Sequence, residues 1–379
     1  MFKRKVGFLI NPIAGMGGRV CLKGTDGLVE EAIRRGAEPI APKRADEFLS
    51  ELKRLLIFEK IAINIVSCRL NMGEALLKKH AFNAEYVSLP KTTNTSAQDT
   101  IESVKEFVKR GVELIVFVGG DGTARDVYMG LREAENVEIP ILGVPSGVKV
   151  YSGLFAVTPS EAALVLVEYL KGNIDTAEME IVDVDEDAFR RDELCIKLFA
   201  CAKAPYMPYH IQGTKQASLA SPDEYENQLG IANYIAEIFD KDGTYILGPG
   251  TTLKRIAEVL NIPKTTLGVD VYHKGRVYND VSEKEILKLI EKETNVWIIV
   301  SPIGRQGIIF GRGNQQISPN VIRRVGKDRI IVVATYRKLA EIPGGILRVD
   351  TQDSSVNQML RGYMKVIVDY RTWRMCKVE

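Results

Sequence analysis

Short apolar runs alternate with amphipathic stretches through the first 150 residues of the chain. Strand-like runs fall at Val6–Ile10, Ile61–Val66, Glu85–Leu89, Leu114–Val118 and Ile139–Val144. Between them, apolar residues recur at helical spacing around 25–35, 45–56, 72–79, 96–110 and 123–135. Strands that are apolar without alternation are buried on both faces, and regular strand–helix alternation builds a parallel sheet covered on both sides. Thr95-Ser96-Ala97-Gln98 reads as a capping box that opens the helix before the fourth strand.

The pattern changes near residue 150. Thr158-Pro159-Ser160-Glu161 supplies an N-cap, a proline at the first helical position and a glutamate at the third, and opens an apolar helix. Acidic residues then cluster between Asp175 and Glu193 in alternating sequence such as Glu180-Ile181-Val182-Asp183-Val184, which predicts the solvated face of an antiparallel sheet. Ser221-Pro222-Asp223-Glu224 opens a helix to about Phe239. Strands near 244–247, 266–272, 296–300 and 329–334 follow, with helices at 252–260 and 283–293, so a βα layer recurs in the second half. Tyr363–Tyr370 is the last predicted strand, and the pattern leaves open whether it joins its own sheet or returns to the first. The expected fold class is α/β: an open parallel Rossmann-like sheet over 1–150, then an α+β domain over 151–379 that adds a βα layer to antiparallel strands. A length of 379 residues also favours two domains.

Composition removes several function classes. Hydrophobic residues make up 45% and charged residues 26%, values ordinary for globular proteins. The net charge is +2 and no basic block occurs, so neither nucleic acid nor an anionic membrane is an expected partner. No apolar run reaches membrane-spanning length. The opening MFKRKVGFLINPIAG is broken by Asn11-Pro12 before it could form a secretion-signal core, so a first buried strand in a cytoplasmic protein is expected. Five cysteines without a CxxC pair and three histidines argue against disulfide, zinc and multi-histidine sites.

The chemistry concentrates where strands end. The run Val112–Val118 empties through Gly119-Gly120-Asp121-Gly122-Thr123 into a helix, a geometry that offers unpaired backbone N–H groups to an anion. A carboxylate in that position is out of place unless it serves a metal ion or an attacking hydroxyl, so Asp121 marks a phosphoryl-transfer site. The first strand ends in Asn11-Pro12-Ile13-Ala14-Gly15-Met16-Gly17-Gly18, where Gly15, Gly17 and Gly18 allow backbone to approach a phosphate, and Lys23-Gly24-Thr25-Asp26-Gly27 follows. The fifth strand ends in Pro145-Ser146-Gly147-Val148-Lys149, which makes Ser146, Gly147 and Lys149 candidate ligand contacts. Ser146 lies outside any G-x-S-x-G elbow, so it is not a hydrolase nucleophile. All three turns belong on the carboxyl edge of one parallel sheet, where such sheets bind ligands. Gly248-Pro249-Gly250-Thr251-Thr252 repeats the strand–turn–helix geometry and adds Gly250, Thr251 and Thr252 as candidates. The loop Gly311-Arg312-Gly313-Asn314-Gln315-Gln316 is too polar for a core and is expected either to close over a nucleotide or to form a long hairpin connection.

Taken together, NPIAGMGG, LKGTDG, GGDGTARDV, PSGVKVYS and GPGTT resemble the ATP-NAD kinase-like family, in its AcoX-like branch within the NAD kinase and diacylglycerol kinase superfamily. The resemblance runs over most of the chain. It implies Mg²⁺-dependent transfer of a phosphoryl group from ATP or polyphosphate to the 2′-hydroxyl of NAD, giving NADP. It further implies Asp121 as catalytic base or Mg²⁺ ligand, nucleotide contacts from Gly119, Gly120, Gly122 and Thr123, and a homo-oligomer. Three departures bear on the substrate. The Asn-Glu that follows GGDGT in lipid kinases is Arg125-Asp126 here, which keeps a shorter carboxylate and makes Asp126 a candidate contact. The Asn-Glu pair that handles the NAD adenosine has no clear counterpart in Gln212–Gln228, and the GPGTT layer is foreign to a mainly β second domain. The same fold acting on another small-molecule hydroxyl, or a nucleotide-binding sensor without turnover, therefore stand beside the NAD kinase reading.

Overall fold

The structure is a computed structural model and describes residues 4–20, 22, 29–146, 150–184, 192, 196–208, 210–211, 222–303 and 306–379. Its first half runs β1 (Lys5–Ile10), α1 (Val29–Arg34), α2 (Ala41–Glu59), β2 (Asn64–Ser67), α3 (Glu74–Lys79), β3 (Ala84–Tyr86), α4 (Ala97–Lys109), β4 (Leu114–Gly119), α5 (Asp121–Glu133) and β5 (Ile141–Pro145). The five strands form one parallel sheet in the order β3-β2-β1-β4-β5. Both faces are apolar, as the unalternating runs require. Phe8, Ile10, Val116 and Val118 pack under α2, whereas Leu9, Ile115 and Phe117 pack under α4 and α5. Chain order reverses between β1 and β4, so the crevice of this sheet opens at their carboxyl ends. The capping box of α4 sits one residue later than expected: Ser96 and Asp99 make the reciprocal bonds, because aspartate at the third helical position reaches back as glutamine would.

Next come α6 (Pro159–Lys171), β6 (Thr176–Val184) and β7 (Ile196–Pro205). Thr158 caps α6 by accepting from the Glu161 backbone N–H at 3.2 Å. Of the acidic stretch, β6 pairs antiparallel with β7, and Ile181, Ala202 and Ala204 close the α4/α5 face of the first sheet.

The remainder is α7 (Pro222–Ile238), β8 (Thr244–Leu247), α8 (Thr251–Val259), β9 (Asp270–His273), β10 (Arg276–Tyr278), α9 (Glu283–Ile290), β11 (Val296–Val300), β12 (Ile308–Phe310), α10 (Pro319–Val325), β13 (Ile330–Val333), α11 (Tyr336–Ala340), β14 (Arg348–Val349), α12 (Ser354–Leu360), β15 (Gly362–Asp369) and β16 (Thr372–Val378). Seven strands build a second, mixed sheet in the order β10-β9-β8-β11-β13-β15-β16, in which β8, β11, β13 and β15 are parallel. The strand at 362–369 pairs with β13 and with β16 and so belongs to this second sheet, not the first. Helices α7 and α8 cover one face of the sheet, and α9, α10 and α12 cover the other. No helix among the described residues is long and apolar enough to cross a membrane.

Candidate active site

Three turns meet at the carboxyl ends of β1, β4 and β5. Backbone bonds tie them together: Asn11 N–H donates to the Val118 carbonyl at 3.0 Å, and Ser146 N–H donates to the Gly119 carbonyl at 3.0 Å. The Asn11 side-chain amide donates to Thr123 Oγ1 at 3.0 Å, which joins the first turn to the second. Gly15 joins the first to the third. It has φ +81°, and a Cβ there would stand 2.1 Å from the Ser146 carbonyl oxygen, so only glycine lets these two backbones lie together. Gly17 and Gly18 continue in a short 3₁₀ turn, Met16–Val20.

The glycine turn after β4 is shorter than expected. The α5 helix already begins at Asp121, with Gly120 as N-cap, so Gly122 and Thr123 lie in its first turn. Asp121 does not cap that helix. Its carboxylate accepts from the backbone N–H of Tyr151 at 2.9 Å and of Ser152 at 2.9 Å. It is therefore held at the mouth of the crevice by the segment that follows the third turn. Burial, together with the Asp121 charge, pushes the Tyr151 phenol well above its ordinary pKa. Asp126 is half-buried, 3.9 Å from Arg125 Nε, while Arg125 Nη1 reaches Asp183 on β6 at 3.1 Å. Gly147 and Lys149 lie outside the described residues, as do Lys23–Gly27.

The 311–316 loop is not too polar for the interior, as its composition had suggested. Arg312, Asn314, Gln315 and Gln316 are all buried, and Arg312 and Asn314 meet backbone groups and a counter-charge there. Asn314 donates to the Ile309 carbonyl and accepts from Gly311 N–H. Arg312 donates to the Val157 carbonyl and pairs with Asp350 at 3.3 Å. Asp350 also binds Arg44, in the first turn of α2, 306 residues away. Burial opposes ionisation of Asp350, yet the guanidinium groups of Arg44 and Arg312 hold its carboxyl below the ordinary value. The loop thus lies over the carboxyl edge of the first sheet. A Cβ on Gly18 would meet Gln315 Oε1 at 2.2 Å.

Three polar atoms at this seam, Ser146 Oγ, Gln315 Nε2 and Arg312 Nη1, are buried with no hydrogen-bond partner among the described residues. Such groups cost free energy unless something satisfies them, and an anion would do so. The sequence signal for Arg44 was present: it shares the α2 face with Ala41, Ala45 and Phe48, where a charge needs a buried partner. Nothing in the sequence links it to Asp350. Among the described residues no three His, Cys, Asp or Glu side chains converge as a metal cage.

The sequence model of the ATP-NAD kinase N-terminal domain matches residues 6–174, and that of the ATP-NAD kinase C-terminal domain matches 241–378. The chain belongs to the ATP-NAD kinase family. The C-terminal match takes in the βα layer around Gly248–Thr252, so that layer is not foreign to the family. No curated protein matches the chain. Among solved structures it is similar to a UDP-GlcNAc 2-epimerase from Neisseria meningitidis bound to UDP-GlcNAc, with 12% identity, 92% of this chain and 77% of that chain covered, and a TM-score of 0.24. A putative UDP-N-acetylglucosamine 2-epimerase from Listeria monocytogenes gives 10% identity, 92% and 75% coverage, and the same TM-score of 0.24. Likenesses this low carry no argument about this family member. Gly250, Thr251 and Thr252 sit at the edge of the second sheet, apart from the three turns.

Proposed function

We propose that the chain is a kinase that transfers a phosphoryl group from ATP or polyphosphate to the 2′-hydroxyl of NAD, forming NADP. The observation that carries this reading is the convergence of the three turns, with the Asp121 carboxylate anchored beside them on the Tyr151 and Ser152 amides. Family membership supports the reaction class.

Asp121 takes the proton from the acceptor hydroxyl as it attacks. A sugar hydroxyl is a poor nucleophile until a positioned base does this, and the help is typically worth ~10²–10⁴-fold. The remaining demand of phosphoryl transfer is alignment and charge neutralisation. Backbone amides of Gly15, Gly17, Gly18, Gly119, Gly120 and Gly122, with the Thr123 hydroxyl, cradle the phosphates. Ser146 Oγ, Gln315 Nε2 and Arg312 Nη1 gain partners on the anion, and Lys149 adds positive charge. Among the described residues no carboxylate cage converges, so Mg²⁺ would be carried on the nucleotide phosphates, with Asp121 as its protein ligand where it does not serve as the base. Bound there, it would neutralise charge on the transferring group.

The test is product formation by the purified chain with Mg²⁺, ATP or polyphosphate, and NAD, read by an NADP-specific dehydrogenase. Asp121→Asn should fold, bind nucleotide and lose at least ~10²-fold in turnover. Wild-type turnover in that variant sinks the mechanism. Release of ADP only with a different acceptor moves the substrate and keeps the chemistry. Nucleotide binding without any product replaces the kinase with a sensor.

A further inference from the structure

The second sheet has its own ligand-binding edge. Strand β8 hands the chain to α8 on one face, while β11 leads on to α10 on the opposite face. Neighbouring parallel strands whose helices depart to opposite sides leave a crevice at their carboxyl ends. The turn Gly248-Pro249-Gly250 lies at that crevice. Gly248 N–H donates to the Ile299 carbonyl at 2.9 Å, which sets the turn beside the end of β11, where Ser301 follows. Gly250 is the N-cap of the nine-residue α8, with φ +120° and no side-chain cap, and a Cβ on it would face open space. The loop behind the turn is held by several hydrogen bonds. Asp270 binds Lys264 Nζ at 2.8 Å and the backbone N–H groups of Thr265 at 2.9 Å and Asp280 at 2.7 Å, and the Thr266 carbonyl accepts from Gly250 N–H at 2.8 Å.

Two further side chains point to an anion here. Thr252, on the inner face of the first turn of α8, is fully buried, and its Oγ1 has no hydrogen-bond partner. Lys338 on α11 reaches across to donate to Ser301 Oγ at 2.9 Å, which brings an ammonium to the β8/β11 gap. Burial pulls this lysine below its ordinary pKa, opposed by the charge of Glu224, which itself accepts from Thr335 Oγ1 at 2.8 Å. The ammonium makes no salt bridge among the described residues, so two of its three donors are unspent.

We propose that this edge is a second anion site, which takes the phosphate of a small phosphomonoester on the amides of Thr251, Thr252 and Leu253, Thr252 Oγ1 and Lys338 Nζ. One ammonium and one helix N-terminus suit a single phosphate; a polyphosphate chain needs more positive charge. The proposal is independent of phosphoryl transfer at Asp121.

The test is hydrogen exchange of the intact chain with and without millimolar inorganic phosphate. First-turn amides of a helix have no intrahelical partner and exchange readily until a ligand binds them. Phosphate should slow exchange at least tenfold in peptides covering 248–259. Lys338→Met should abolish that protection, keep any protection at 11–20 and 119–125, and melt no lower than wild type. Thr252→Val should weaken it severalfold and serves if Lys338→Met does not fold. Absence of protection at 248–259 in the wild type overturns the site, as does protection that survives both substitutions. Stronger protection of this segment by ADP than by phosphate overturns the assignment of a monoester.

Discussion

Gly15→Ala separates the cost of a backbone conformation from the cost of forcing two turns apart. Gly172, the left-handed C-cap of α6, has φ +76° and open space where a Cβ would go. Alanine there meets only the conformational penalty, about 1–2 kcal/mol. Gly15 has nearly the same φ, +81°, so it carries the same penalty, but its Cβ would also stand 2.1 Å from the Ser146 carbonyl oxygen. That atom is backbone at the end of β5 and cannot rotate away, so the first and third turns must part. Overpacking of this kind costs about 1–3 kcal/mol more, about 2–5 kcal/mol in all. Denaturant unfolding of the two variants should therefore show Gly15→Ala to be the weaker protein by that difference, and calorimetry should show that it alone loses ADP affinity. Equal destabilisation would refute the contact argument, and unchanged ADP binding in Gly15→Ala would refute the placement of phosphate between these turns.

Asp350→Asn leaves Arg44 and Arg312 buried without their shared carboxylate, so it should cost about 3–5 kcal/mol in unfolding free energy. The same pairing has a pH signature. Asp350 is held below its ordinary value, near ~3.9 for aspartate, so its stabilisation is whole above that pH and is lost as pH falls through the lower folded value. Thermal melts of the wild type should lose stability below pH ~4 in a component that Asp350→Asn lacks. Thr123→Val removes the acceptor for the Asn11 amide and should cost about 1–3 kcal/mol, whereas Thr123→Ser should restore it; equal melting of the two would refute the link between the turns.

The fold was legible where local rules agree. The central strands β1, β4 and β5 follow from apolar runs between turn residues, whereas the edge strand β3, Ala84–Tyr86, only overlaps its expected range; the reversal between β1 and β4 brings the turns of Asn11 and Thr123 together. Asp121 stood out because it contradicts its surroundings. Its partners did not, because Tyr151 and Ser152 offer backbone N–H, which every residue has and no composition reports. The polar loop at 311–316 misled for a related reason. A hydropathy pattern prices burial against apolar neighbours, yet Arg312 and Asn314 are buried against carbonyls, an amide and a carboxylate. That choice of lining has a physical consequence. A seam meant to stay shut would be filled with apolar side chains, which need no partners and lose nothing by close packing. This one is closed by charged, amide and hydroxyl groups, of which Ser146, Gln315 and Arg312 keep a polar atom without a partner among the described residues. Such a lining forgoes stability in the free protein, and an anion at this seam, as the proposed phosphoryl transfer needs, would return part of it.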